Sequence, residues 1–159
     1  MSTSTAVPRR VQLPSGPVLV GGVYAVCVLG LVVVFTARIL FGDGDPHEAE
    51  GPIDSLVAVS IVGTAALVVG VGLAAWSLRA AGRTRAGALA LVALAVLTVV
   101  FFWSGAPGIL GACAAWCAGL TRGGRALTGA ARTAGIIGAF LALLNVALTI
   151  GGVVITALV

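Results

Sequence analysis

Few side chains in this sequence could carry out chemistry, and their positions restrict what that chemistry could be. The only histidine, His47, stands among Asp43, Asp45, Glu48 and Glu50, with Asp54 just beyond. Oxygen-rich loops bind hard cations, and Asp43-x-Asp45 resembles the start of a calcium loop. The pattern then departs. An EF-hand loop needs a mid-loop glycine and a glutamate at its last position, where this chain has Pro46 to Glu48 and Asp54. A solvated acidic loop is the simpler reading, and one histidine alone makes neither a zinc nor a haem site.

The three cysteines, Cys27, Cys113 and Cys117, all fall inside apolar runs. Cys113 and Cys117 are four apart and share a helical face. No C-x-x-C occurs, and no histidine or acid lies in any apolar run to complete a site. Buried cysteine behaves as a small apolar residue, and that is the role expected here. Asn145 is the only asparagine, set in the middle of the last apolar run. It reads either as a ligand for a substrate or ion, or as an interhelical hydrogen bond of about 1 kcal/mol. The second reading is the simpler. Arg38 is the only charge near the inside of a run, four residues from its end, and its long stem can snorkel to the interface. Proton-coupled transport and intramembrane metalloproteolysis need acids, His or Lys within the membrane. Nucleophilic catalysis needs a base beside the nucleophile. The chain is therefore expected to be non-catalytic and to bind no metal or cofactor.

The elements that hold these residues are membrane spans. Of 159 residues, 60% are hydrophobic and only 9% charged. Soluble domains carry roughly 25% charged residues, so this chain could not cover a water-facing surface. The high pI, near 9.8, would be misread as a nucleic-acid signal. All nine basic residues are arginine, clustered beside apolar runs as membrane topology demands. With abundant Ala, Gly and Val, this points to a GC-rich bacterial genome.

The first sixteen residues read as a polar cytoplasmic tail, and residues 17–159 as a single transmembrane helical domain. Spans are expected at about 18–41, 56–78, 86–103, 105–120 and 133–156, with an acidic outer loop at 42–54. The first run is too long for the core of a signal peptide and lacks its cleavage site. The fourth is the short one, opening on Gly and Pro, with a re-entrant segment as its alternative. If it spans, Arg9, Arg10, Arg79, Arg83, Arg85, Arg122, Arg125 and Arg132 share one side, and all five acids share the other. The positive-inside rule then places the N-terminus in the cytoplasm and the C-terminus outside. Trp76 is expected as an anchor at the inner interface, and Phe41, Phe101, Phe102 and Trp103 at the outer one.

Small residues recur at helical spacing. Gly135, Gly138, Ala142, Asn145, Thr149 and Gly152 line one face of the last run. Ser60, Gly63, Gly70, Ala74 and Ser77 line the second, and Gly108, Gly111, Ala115 and Ala118 the fourth. Lipid gives helices no hydrophobic reason to associate, so such seams mark close packing, within the chain or against a partner. Ala74-Ala75-Trp76 and Ala114-Ala115-Trp116 each precede an arginine loop and an Ala-Gly helix start. They read either as a duplicated helical hairpin with one added helix or as chance in an Ala/Gly-rich chain.

Residues 105–152, GAPGILGACAAWCAGLTRGGRALTGAARTAGIIGAFLALLNVALTIGG, resemble small glycine- and alanine-rich polytopic membrane proteins of high-GC bacteria. The resemblance implies a small multi-pass protein and carries over no catalytic residue. The expectation is an all-α protein of about five transmembrane helices in the bacterial inner membrane. Its expected role is an accessory or assembly subunit of a larger respiratory or transport complex. The alternative is a transporter or channel component acting as an oligomer, with Ser60, Thr98, Asn145 and Thr149 as the only polar lining. Expected partners are the lipid bilayer and other membrane chains or further copies of itself, and not nucleic acid.

Overall fold

A computed structural model describes residues 14–41, 46–80 and 82–158, with the backbone alone for 38, 39, 41, 46–53, 55 and 156–158. Every regular element among them is a helix. In order they are α1 (Gly16–Tyr24), a π turn (Ala25–Leu29), α2 (Gly30–Phe41), α3 (Pro46–Leu78), α4 (Thr84–Leu97), a 3-10 helix (Thr98–Ser104), α5 (Ala106–Cys117) and α6 (Ala130–Leu158). Four stretches are long and apolar enough to cross a bilayer: Gly16–Ala37, Leu56–Leu78, Thr84–Ser104 and Ala130–Ile155. Their outward faces carry large apolar side chains such as Val33, Val68, Leu97, Phe140 and Ile155. In water this surface would be untenable, while a bilayer solvates it. The chain is a multi-pass helical membrane protein.

Two elements differ from the expectation. The acidic stretch 42–54 is not a loop throughout, because α3 already begins at Pro46. Proline suits a first helical position, and the acids that follow it complement the positive end of the helix dipole. The stretch expected as a fourth span at 105–120 is the twelve-residue α5, Ala106–Cys117. At 1.5 Å per residue it is about 18 Å long, short of the roughly 30 Å hydrocarbon core. Glycines in the left-handed region bound it, Gly105 (φ 76°) before and Gly119 (φ 70°) after, and neither conformation continues a right-handed helix.

The short helix is the centre of the bundle. All its residues except the half-buried Trp116 are buried, and α1, α3, α4 and α6 surround it. Its side chains explain this position. Ala, Gly and Cys let four helices approach one axis, and packing rather than hydrophobic transfer then holds them. The α5–α6 crossing is the tightest. Gly111 rests on the Gly138 backbone, and a Cβ placed on Gly138 would lie 2.5 Å from the Gly111 carbonyl oxygen.

Candidate functional site at the hairpin turn

The chain reverses between α4 and α5 through the 3-10 helix Thr98–Ser104, which is kinked at Phe101. Ser104 closes the turn: its hydroxyl donates to the Phe101 carbonyl (2.7 Å) and accepts the Ala106 N–H (3.3 Å). Gly105 takes the left-handed conformation and lies against Cys27, where the first transmembrane segment widens into its π turn. Such π turns cluster at functional sites. The reversal is level with Val28 and Gly63, since a Cβ on Gly63 would lie 2.7 Å from Val28 Cγ2 and 3.0 Å from the Ser104 carbonyl oxygen. Beyond Val28, the first segment runs on to Phe41, about 20 Å further.

Asn145 of α6 clamps this turn. It is 4% exposed, and its Nδ2 donates to the Phe102 carbonyl at 2.8 Å. Its Oδ1 has no hydrogen-bond partner among the described residues. That oxygen lies against Gly108, 2.9 Å from where a Cβ would stand. Gly108 is in the first turn of α5, so the amide oxygen lies beside the positive end of a helix. Thr149, one turn on, donates to the Asn145 carbonyl at 2.9 Å.

Above the turn, a cleft of about 230 Å³ opens between α2, the turn and α6. Its walls include Leu31, Phe35, Trp103, Leu148, Thr149 and Gly152. Of the four polar residues expected to line a path, Asn145 and Thr149 meet here. Thr98 instead donates to the Leu94 carbonyl in the last turn of α4 (2.9 Å), and Ser60 is not part of the wall. Trp103 sits at the turn, edge-on to Phe101 at 6.3 Å. Trp76 lies at the other end of α3 with the Arg83 guanidinium 4.8 Å from its ring centroid. The Arg38 side chain, His47 and the other four acids of the cation-loop reading lie outside the described side chains, and Asp54 is exposed.

The glycines of the expected seams make close contacts, except Gly152, where a Cβ would meet nothing within 4 Å. Gly70 packs on Cys113 and Leu110, Gly135 on Ala118 and Leu120, Gly111 on Gly138, Gly108 on Asn145, and Gly63 on Val28. Cys27, Cys113 and Cys117 are buried free thiols. No group of three or more His, Cys, Asp or Glu side chains gathers among the described residues. Sequence reasoning missed further contacts of this kind, Gly105 against Cys27, Gly16 under Trp116 and Gly87 under Ser77. Gly16 stands outside any run of small residues at helical spacing, and Gly87 belongs to the buried face Gly87, Ala88, Leu91 and Ala95 of a helix so rich in alanine that spacing singles out no one face.

At the opposite end of the bundle, the start of α1, the α3–α4 connection and the α5–α6 loop meet around a concavity of about 600 Å³. No family model, no curated protein and no solved structure matches the chain.

Proposed function

We propose that this protein is a non-catalytic accessory or assembly subunit that packs laterally against another membrane chain. One observation carries the reading. After the core has used its small residues, α1 still presents Gly21 and Gly22 outward, where a Cβ placed on either would meet no other element within 4 Å, followed one turn on by exposed Ala25. Gly-xxx-Ala spacing on a lipid-facing helix is the arrangement that lets a second helix approach closely. The centre of the bundle supports the same reading. It is filled by α5, and the Gly111–Gly138 contact leaves no room for a conduit there. The partner is a transmembrane helix of a larger complex in the bacterial inner membrane, with the arginine-rich end of this chain in the cytoplasm.

The test is co-purification from native membranes in a mild detergent. Gly21→Leu and Gly22→Leu fill open space, so the chain should fold normally while its partner is lost. An unchanged set of co-purifying chains in both variants would refute the reading.

A second reading has its own observation. Transporters place binding sites where helices break at mid-membrane, with half-helix ends aimed at the ligand. Here α5 begins partway through the bundle with Asn145 at its first turn. A component acting as an oligomer would use the cleft above that turn. Gly152→Phe fills the cleft and should abolish transport on this reading, while leaving partner retention intact on the first.

A further inference from the structure

We propose that the concavity at the arginine-rich end binds the phosphate headgroup of an anionic phospholipid, with the upper part of its acyl chains against the apolar wall. The wall is amphiphilic: Pro17, Leu78, Trp116 and Leu127 are apolar, and Arg122 and Arg125 stand at the mouth. Both arginines are exposed, yet they are not carried on a loose loop. The Arg122 N–H donates to the Pro14 carbonyl (3.3 Å), Gly124 N–H to Thr121 (2.9 Å) and Leu127 N–H to Ala118 (2.9 Å). Gly119, in its left-handed conformation, lies directly under the Arg125 carbonyl. The loop backbone is therefore fixed before any ligand arrives, and little ordering entropy is left to lose on binding.

The charge distribution favours an external anion. No acid follows Asp54 in the sequence, and none precedes Asp43. From Asp54, α3 carries the chain about 36 Å to Leu78 at this end. That is several times the Debye length of about 8 Å at physiological salt, so the acids do not neutralise these arginines. Arg79, Arg83 and Arg85 follow α3 and add to the same field. Among anions, a bilayer phospholipid matches the whole concavity, because it offers charge at the rim and hydrocarbon at the wall and is already present beside it. Basic pockets between transmembrane helices at the cytoplasmic side bind such headgroups.

Trp116 lies in the wall and reports on the site. The experiment uses the full chain with Trp76→Phe and Trp103→Phe, reconstituted in phosphatidylcholine vesicles. A minor fraction of the lipid is phosphatidylglycerol with brominated acyl chains, which quench tryptophan on contact. Two arginines enrich an anionic lipid by about thirtyfold, so quenching should far exceed that from brominated phosphatidylcholine at the same fraction. R122A/R125A should reduce it to the phosphatidylcholine value, while Arg132→Ala, exposed and outside the wall, should leave it unchanged. Inorganic phosphate at constant ionic strength should not relieve it. Native mass spectrometry of the protein with all three tryptophans should show retained phosphatidylglycerol, lost in R122A/R125A. Equal quenching by the two brominated lipids, persistence in the double variant, or relief by phosphate would each overturn the assignment.

Discussion

Replacing Gly138 by alanine adds one methyl group at the point where α5 and α6 touch through their backbones. The new Cβ would stand 2.5 Å from the Gly111 carbonyl oxygen and 2.9 Å from Ala114 Cβ. Ordinary contact begins near 3.4 Å, so the helices must separate by about 1 Å, a gap that forfeits a quarter to a half of each dispersion contact. The loss extends along the crossing, from Gly108 beside Asn145 to Ala118 beside Gly135. Neither obstacle is the end of a flexible side chain, because one is a helix carbonyl and the other an alanine. Overpacking of this kind costs about 1–3 kcal/mol for a methyl group, and Gly138→Leu must cost more. Lipid returns nothing, since it is as apolar as the partner helix.

Ile137 is the control. It neighbours Gly138 in sequence and is 43% exposed to the bilayer, so Ile137→Leu should cost less than about 1 kcal/mol. The assay is thermal unfolding in mild detergent, comparing wild type, Gly138→Ala, Gly138→Leu and Ile137→Leu. The expected order of midpoints is wild type and Ile137→Leu together, then Gly138→Ala, then Gly138→Leu. A Gly138→Ala midpoint at or above wild type would show that α5 and α6 slide freely, and the packing argument would fail.

Two further predictions concern the hairpin turn and the orientation. Asn145→Ala removes the donor to Phe102 and should lower stability by about 0.6–1.7 kcal/mol; an unchanged midpoint would mean that the clamp does not hold the turn. A reporter inserted beside Gly124 should read cytoplasmic and one fused after the last residue extracytoplasmic, and the reverse at Gly124 would overturn the orientation.

Much of the architecture was legible from apolar run length. The run 56–78 ends with α3 at Leu78, and Gly138 and Asn145 of the last seam do face α5, with Gly135 against Ala118 and Leu120 just past its end. Periodicity shows which face of a helix is small but not which face it meets. That Gly111 meets Gly138 while Gly63 meets Val28 is a long-range pairing with no local signature. The length of α5 was missed because apolarity continues through Ala118 and Leu120, while left-handed glycines bound the helix, Gly105 before Ala106 and Gly119 after Cys117. The helical start at Pro46 was missed because Gly, Pro and Asp read as turn residues, though Pro also favours a helix start. Cys27 was legible as buried filler, but its place beside Gly105 depends on the depth at which the hairpin turns.

That depth does not disturb the charge asymmetry. The connection after α3 and the loop after α5 meet at one end, because α4 rises from that end and α5 returns to it. Whether the pair is counted as two spans or as one hairpin entering from one side, the number of crossings before α6 keeps the same parity. The arginine bias constrains only where the connections lie, so it cannot set how far the hairpin penetrates. That distance follows from where the backbone can reverse, and here it reverses at Gly105, wedged against Cys27. Any side chain at 105 must both adopt φ of 76° and displace Cys27, whose Cβ lies 2.8 Å from the position a Cβ would take. The two constraints act on the same atom, so a substitution that relieves one still meets the other. Residue 105 thus fixes the level at which the central helix begins, and with it the contact between Gly108 and Asn145 and the floor of the cleft above the turn.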